Sequence, residues 1–206
     1  MALIHKATLQ PSKLQLLTGW LPSRSWFPDG TEIRQLGSYR FDDPAGAVGV
    51  EAFLLEASDE AIVHVPLTYR GAPLAGAEEF LIGTTEHSVL GTRWVYDGCG
   101  DPIWASTLAT AVLNGGTQAD ELVDNDGQLV PRAPTATVKG SGKSGTSVGH
   151  IETVTCRDDG PITIVRANRL DLMVIRTVGT AVEATQTLIG TWPGHPPVQL
   201  AGVRAV

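Results

Sequence analysis

Short runs of Val, Ile, Phe, Tyr and Leu, each followed by a turn rich in Asp, Gly and Pro, recur along most of the chain and restrict it to a fold built largely from strands. In the first half these runs cover residues 31–41, 47–56, 61–69 and 88–96. The turns at 42–46 and 70–73 are short, so consecutive strands are predicted to pair antiparallel.

Two segments break this pattern with helical spacing. Leucines of residues 11–21 recur at i, i+3 and i+7, which predicts an amphipathic helix that ends before Pro22. Further on, Asp101-Pro102 is typical of an N-cap followed by a first-turn proline, and Gly115-Gly116 is typical of a helix end. A second helix is therefore predicted between these two pairs.

The second half returns to strands after a polar stretch. Residues 116–134 contain the turn Asp124-Asn125-Asp126-Gly127 and are predicted to connect a subdomain of residues 1–115 to one of residues 135–206. The strand candidates beyond it are 135–139, 147–156, 161–167, 170–178, 185–192 and 197–205, and 179–191 could be a helix instead. The predicted fold class is α+β, an antiparallel sheet with a packed N-terminal helix followed by a mostly β second subdomain.

Charge and hydropathy exclude several classes of protein. The 206 residues carry a formal net charge of −7, which argues against a nucleic-acid partner. No apolar run approaches the roughly 20 residues of a membrane helix, and the N-terminal residues lack the apolar core of a secretion signal. A cytoplasmic protein without a membrane partner is expected, with its two cysteines reduced.

The glycine-rich stretch at 140–146 is the main candidate for binding phosphate. Gly140, Gly142 and Gly145 match G-x-G-x-x-G, and Lys143 could add a charge, but Thr137 stands where a P-loop needs glycine. A dinucleotide fold would open a helix here, whereas the following residues read as a strand. A mobile hairpin turn is favoured, and an anion site formed by these four residues remains the alternative.

Histidine and cysteine offer little chemistry in this sequence. The five histidines lack metal-site spacing, so no metal ligand is assigned. In a strand, His64 lies on the face opposite to the apolar residues Val63 and Val65. This position predicts a solvated or hydrogen-bonded surface residue. Cys99 lies between acidic residues that raise a thiol pKa, and it is interpreted as inert. No catalytic residue and no cofactor are assigned.

Aromatic residues give a second candidate site. Trp26 and Trp94 could stack on sugar rings, whereas Trp20 and Trp104 fall on the apolar stripes of their helices and are expected in the core. A sugar platform must present a bare ring face. Exposure of Trp26 and Trp94 therefore separates a carbohydrate-binding module from a packing role.

Several short motifs resemble one family. Residues 20–27, Trp-Leu-Pro-Ser-Arg-Ser-Trp-Phe, are similar to the W-L-P-x-x-R-W-F signature near the start of bacterial maltokinases, with the arginine one place early. The segments 65–70, 81–83 and 95–97 follow in similar order. Over about residues 8–115 the chain thus resembles the maltokinase N-terminal cap, which implies a curved antiparallel sheet against a helix.

The resemblance implies a function without catalysis. In maltokinases the cap is an addition to a kinase that phosphorylates maltose with ATP, and the motifs of the catalytic lobe do not appear in this sequence. A non-catalytic cap-like protein is expected, acting through contacts with a protein partner such as an enzyme of maltose, trehalose or α-glucan (glycogen) metabolism. The alternatives are a nucleotide- or sugar-binding protein, or a split sugar kinase, using the loop 140–146, and a carbohydrate-binding module. The oligomeric state is left open.

Overall fold

The computed structural model describes residues 2–4, 7–28, 30, 32–58, 61–125 and 128–205. Within them lie two α-helices, α1 (Lys13–Trp20) and α2 (Pro102–Leu113). The strands are β1 (Ala2–Ile4), β2 (Leu9–Gln10), β3 (Arg34–Phe41), β4 (Gly49–Glu56), β5 (Ile62–Arg70), β6 (Leu81–His87), β7 (Gly91–Asp97), β8 (Glu121–Asn125), β9 (Gln128–Arg132), β10 (Thr137–Gly140), β11 (Thr155–Asp159), β12 (Ile162–Ala167), β13 (Leu170–Ile175), β14 (Gln186–Trp192) and β15 (His195–Ala205).

The strands form three sheets. The first, in the order β2-β6-β7-β5-β4-β3, and the second, in the order β10-β14-β15-β13-β12-β11, each have six strands and are antiparallel throughout. The third, β1-β8-β9, pairs β1 parallel to β8. The fold is predominantly antiparallel β with two short helices among the described residues, which confirms the sheet-and-helix prediction at this coarse level.

Helix α1 follows from local sequence and covers one face of the first sheet. The Ser12 side chain accepts from the backbone N–H of Gln15, and the Gln15 side chain accepts from the N–H of Ser12, a capping box that opens the helix. Leu17 and Trp20 are buried against strand residues such as Phe53. The predicted helix is confirmed, and a 3-10 turn at Leu21–Ser23 extends it.

Helix α2 covers the opposite face and joins the two large sheets. Asp101 caps it by accepting from the N–H of Ile103, and Trp104, Leu108 and Val112 are fully buried. One hydrophobic cluster contains these helix residues together with buried side chains of both six-stranded sheets. Both faces of the first sheet are thus covered. The subdomain boundaries near residues 115 and 135 stay a prediction.

Four segments differ from the sequence-based expectation. The run 88–96 overlaps only β7, the second strand of the hairpin β6–β7. The first strand, β6, is not predicted, because it has one buried residue, Thr85, and lacks apolar alternation. The predicted connection 116–134 contains the hairpin β8–β9, whose second strand is exposed throughout and shows no buried face to detect. Residues 126 and 127 of its turn lie outside the described residues.

The other two differences are in the second half. Of the candidate strand 147–156, only the last two residues belong to a strand, β11. Val148 and Val154 lie in irregular backbone and pack partly against the core, so their apolar side chains resemble those of a buried strand in the sequence. Residues 179–191 are not helical, since β14 begins at Gln186. Elsewhere, no described helix has the length and apolar character needed to cross a membrane.

His64 lies where the two large sheets meet and is fully buried, so the prediction of a surface residue is wrong. Its Nδ1 lies 3.1 Å from the carbonyl oxygen of Ile175, which can only accept, so Nδ1 carries the proton. The Tyr39 hydroxyl then donates to Nε2 over 2.9 Å. Alternation along β5 indicated one solvent-facing side, whereas both sides of this strand are packed.

This burial predicts a specific dependence of stability on pH. Burial, with a smaller contribution from the charge of Arg176, lowers the pKa of His64 to about 3. The unfolded chain binds the proton near pH 6.5, so the free energy of unfolding should fall between pH 7 and 5 by about 2 kcal/mol from this residue. Denaturant titrations at both pH values should show this loss in the wild type and not in the double variant Tyr39→Phe/His64→Leu. Equal losses in both proteins would contradict a buried neutral imidazole.

Candidate functional site

A cavity of about 720 Å³ opens at one end of the strands of the first sheet. Its walls come from β2, the start of α1, the β3–β4 turn and the β6–β7 hairpin. The lining residues used below are Ala7, Leu9, Lys13, Arg40, Asp42, Asp43, Tyr69, Leu90 and Arg93. The volume lies within the range of small-molecule sites, about 300–1,000 Å³.

A buried carboxylate organises one wall of this cavity. Lys13 Nζ donates to Glu51 Oε2 over 2.5 Å and lies 4.7 Å from the centre of the Tyr69 ring. The Tyr69 hydroxyl donates to the same oxygen over 2.9 Å, and Arg40 Nη1 is 3.8 Å from Oε1. Gly49 faces the Tyr69 ring, where an added Cβ would lie 3.2 Å from the ring, so a side chain there would require the ring to shift by a few tenths of an ångström.

The electrostatics of this cluster keep Glu51 ionised. Burial alone would raise its pKa, but the charges of Lys13 and Arg40 and the hydrogen bonds from Lys13 and Tyr69 lower the pKa to about 2. Lys13 donates one of its three N–H groups to this ionised carboxylate, which holds the ammonium group at the cavity wall.

Two arginines at the cavity keep an unused donor. The Nε atoms of Arg40 and Arg93 are buried and find no acceptor among the described residues. Arg93 Nη2 donates to the carbonyl oxygen of Leu90 over 2.6 Å, which fixes the direction of its side chain. Both arginines line the cavity and have few partners among the described residues, which makes the cavity a candidate binding site.

The rim of the cavity presents two apolar side chains. Val89 and Leu90, at the turn between β6 and β7, are 57% and 45% exposed. The backbone N–H groups of both residues donate to His87 Nδ1 over 3.2 and 3.1 Å, and the N–H of Ser88 donates to Thr8. We call residues 88–90 the hairpin tip. These bonds hold the tip in one shape while its apolar side chains face solvent.

The predicted phosphate loop has a different role in the structure, because it closes the C-terminal end of α2. The N–H groups of Gly142 and Lys143 each donate over 2.9 Å, to the carbonyls of Val112 and Leu113 respectively. These carbonyls are among the last four of the helix, which have no partner within it. The loop thus supplies the missing donors.

Most of the other N–H groups of the loop are engaged as well. Gly140 donates to Gly116, Ser141 to Thr187 and Gly145 to the Asn114 side chain. A helix C-terminus also carries partial negative charge, the opposite of what a phosphate needs. The structure gathers Gly140, Gly142, Lys143 and Gly145 in one loop, but their geometry supports helix capping; anion binding there stays a prediction.

The two tryptophans proposed as sugar platforms do not lie together in one exposed site. Trp26 is buried, with the Arg176 guanidinium 4.6 Å from the centre of its ring and Trp20 against it edge-on. Its ring therefore lacks the bare face that stacking requires. Trp94, in β7, is only partly exposed. Trp104 and Trp20 are buried, as their helical positions predicted.

The cysteines have the environment expected of inert thiols. Burial, reinforced by Asp97 and opposed by Arg176, raises the pKa of Cys99 well above its usual value. Burial also raises the pKa of Cys156 to about 12, and its thiol donates to the Cys99 carbonyl over 2.8 Å. Within the described part of the chain, no three His, Cys, Asp or Glu residues are grouped so as to hold a metal ion.

Sequence reasoning missed the cavity and its arginines. Lys13, Arg40 and Arg93 are separated by more than 20 residues from one another and match no motif. Only the pairing of the strands, together with the packing of α1 on the sheet, brings the end of β3, the start of α1 and the β6–β7 hairpin to one cavity. The β4 sequence gave one signal, a glutamate inside an apolar strand.

The first sheet and α1 form an antiparallel sheet with a helix packed on one face. A comparison with protein families shows which family has a similar sequence in this region. Residues 20–101 match the family model of the maltokinase N-terminal cap domain. This confirms the resemblance for the segment from the end of α1 to the N-cap of α2. No curated protein matches the chain.

Proposed function

We propose that the protein is a non-catalytic cap that acts in the cytoplasm by binding an enzyme of maltose, trehalose or glycogen metabolism. The single observation that carries the proposal is the match of residues 20–101 to the maltokinase N-terminal cap domain. In that family name the cap belongs with a sugar kinase, and a cap of this kind acts through its contacts.

The hairpin tip is the surface best suited to such a contact. It lies inside the matched segment, and it exposes two adjacent apolar side chains, Val89 and Leu90. Its backbone is already fixed by His87 and Arg93, so docking would cost little ordering entropy. Burial of these two apolar side chains in a contact would add to affinity through the hydrophobic effect.

The test compares two matched variants. Wild-type protein and the candidate enzymes of these pathways, purified from the same cell, are mixed and the Kd is measured by calorimetry. Val89→Asp/Leu90→Asp should weaken the complex at least about tenfold, as expected for loss of an anchor. Leu129→Asp/Val130→Asp changes an equally exposed pair in β9 and should leave the Kd unchanged. No binding to any of these enzymes, or equal loss in both variants, would contradict the proposal.

A second experiment separates the cap from the nucleotide-binding alternative. With ATP, magnesium and maltose the purified protein should form no sugar phosphate above a heat-inactivated control. If the loop 140–146 bound ATP with a Kd near ten micromolar, one millimolar ATP would stabilise the protein by about 2.7 kcal/mol. The N–H groups of Gly142 and Lys143 are already bonded to α2. We therefore expect ATP to leave the unfolding midpoint unchanged, or to shift it equally in the wild type and in Lys143→Ala. A shift that Lys143→Ala abolishes favours the nucleotide site.

A further inference from the structure

We propose that the cavity at one end of the strands of the first sheet binds a small organic anion, whose carboxylate or phosphate oxygens accept hydrogen bonds from Arg40 and Arg93. This site shares Leu90 with the hairpin tip, but binding of the anion does not require a protein partner.

The unpaired donors point to an acceptor ligand. Arginine carries five N–H donors and no acceptor, and the Nε–H groups of Arg40 and Arg93 are both buried without a partner in the described chain. Among the described residues, Arg40 has only its 3.8 Å contact with Glu51 and Arg93 donates only to the carbonyl of Leu90, so further N–H groups of both side chains are left for an acceptor in the cavity that they line. Carboxylates and phosphates match the planar guanidinium better than a neutral oxygen does.

The neighbouring charges do not satisfy these donors. Glu51 Oε2 accepts from Lys13 and Tyr69, and Oε1 has only the longer 3.8 Å contact with Arg40 Nη1. Asp43 accepts three backbone N–H groups of its own turn, from Ala45, Ala47 and Val48, over 2.9–3.0 Å.

The shape and charge of the cavity limit the ligand further. Asp42 adds a second negative charge to the lining, so affinity is expected from directed hydrogen bonds and not from a strongly positive field. Ala7, Leu9 and Leu90 supply apolar wall for a carbon skeleton, and the volume of about 720 Å³ exceeds what a bare phosphate fills. The ligand class is therefore a metabolite-sized organic acid or phosphate ester.

The direct test observes the donors themselves. Nuclear magnetic resonance of the arginine Nε–H groups is recorded on the intact protein during titration with citrate and, separately, with glycerol 2-phosphate, at constant ionic strength. We expect saturable shifts of the Arg40 and Arg93 resonances with at least one probe, and the tighter probe identifies carboxylate or phosphate. No shift with either probe would overturn the proposal. Equal shifts with neutral maltotriose would overturn it in favour of a sugar site.

A variant provides the second readout. Arg93→Gln should weaken binding of the tighter probe about tenfold by calorimetry, since it removes a charge-assisted donor. Arg157→Gln, an exposed arginine of the second sheet, is the matched control and should bind as the wild type does. If Arg93→Gln fails to fold, the resonances of the wild-type protein still decide. Equal weakening in both variants would show only a general effect of charge.

Discussion

Replacing Arg176 with Met is expected to lower the free energy of unfolding by about 3–5 kcal/mol, because it leaves a buried carboxylate without its partner. Arg176 follows β13 and is fully buried. Its Nη2 donates to Asp97 Oδ2 over 2.5 Å, and its Nε donates to Thr163 Oγ1 over 2.8 Å. Although burial opposes its charge, Asp97 holds the pKa of Arg176 above its ordinary value, so the guanidinium keeps its proton.

This ion pair links the first sheet to the second. Asp97 ends β7, Thr163 lies in β12, and the guanidinium also covers the Trp26 ring beside α1. Losing it should therefore weaken the packing between the two sheets as well as the pair itself. The measurement is the denaturant midpoint and slope of each variant, compared with the exposed control Arg157→Met, which should change the free energy by less than about 0.5 kcal/mol.

A double-mutant cycle distinguishes pairing from packing. Asp97→Asn/Arg176→Met removes both charges and keeps an acceptor for the N–H of Cys99, which Asp97 accepts in the wild type. The double variant should be more stable than the sum of the single effects predicts, since neither partner is then left charged and alone. Strict additivity would mean that the loss comes from packing around Trp26 and not from the pair.

The elements whose structure depends on residues close together in the sequence could be predicted from the sequence alone. Both helices were predicted, because the leucine spacing before Pro22 and the Asp101-Pro102 cap act within a few residues. The strands β3, β4 and β5 were predicted to within three residues at each end, since each carries apolar residues on a packed face.

The prediction failed where burial comes from distant parts of the chain. His64 looked like a surface residue because nothing near it in sequence shows that β13 and α2 cover its side of the sheet. The hairpin β8–β9 was not predicted for the opposite reason. Its second strand is exposed throughout, so it has no buried face that would show as an apolar period in the sequence. The cavity arginines belong to the first case, because sheet order alone places them together.

The glycine pattern of the loop 140–146 is compatible with two different kinds of close contact. Glycines let a backbone approach a phosphate, and they equally let it approach another backbone. A Cβ on Gly140 would lie 2.1 Å from the carbonyl oxygen of Ala111, and one on Gly142 would lie 2.1 Å from that of Leu113. Both contacts are with the end of α2, which the spacing of glycines alone could not reveal.

Gly142→Ala is accordingly the second substitution with a large expected effect, a loss of about 3–5 kcal/mol. Displacing a tightly packed backbone costs about 1–3 kcal/mol, and the hydrogen bonds from Gly142 and Lys143 to α2 contribute about 1 kcal/mol each. The control Gly149→Ala lies in the same irregular segment, with only the Asn168 side chain within 4 Å and no positive φ. It should be neutral or slightly stabilising, because alanine reduces the freedom of the unfolded chain.

Hydrogen exchange in the wild type makes this prediction independent of how the variant folds. The amides of Gly142 and Lys143 should exchange slowly, together with those of α2, because they are bonded to its last carbonyls. A mobile turn would instead exchange at the rate of an open loop and would accept Gly142→Ala with an unchanged unfolding midpoint. Slow exchange at these two amides combined with a large loss in Gly142→Ala would make the loop part of the helix end. In that case the glycine pattern exists for the contact with α2, and the search for a ligand should move to the cavity lined by Arg40 and Arg93.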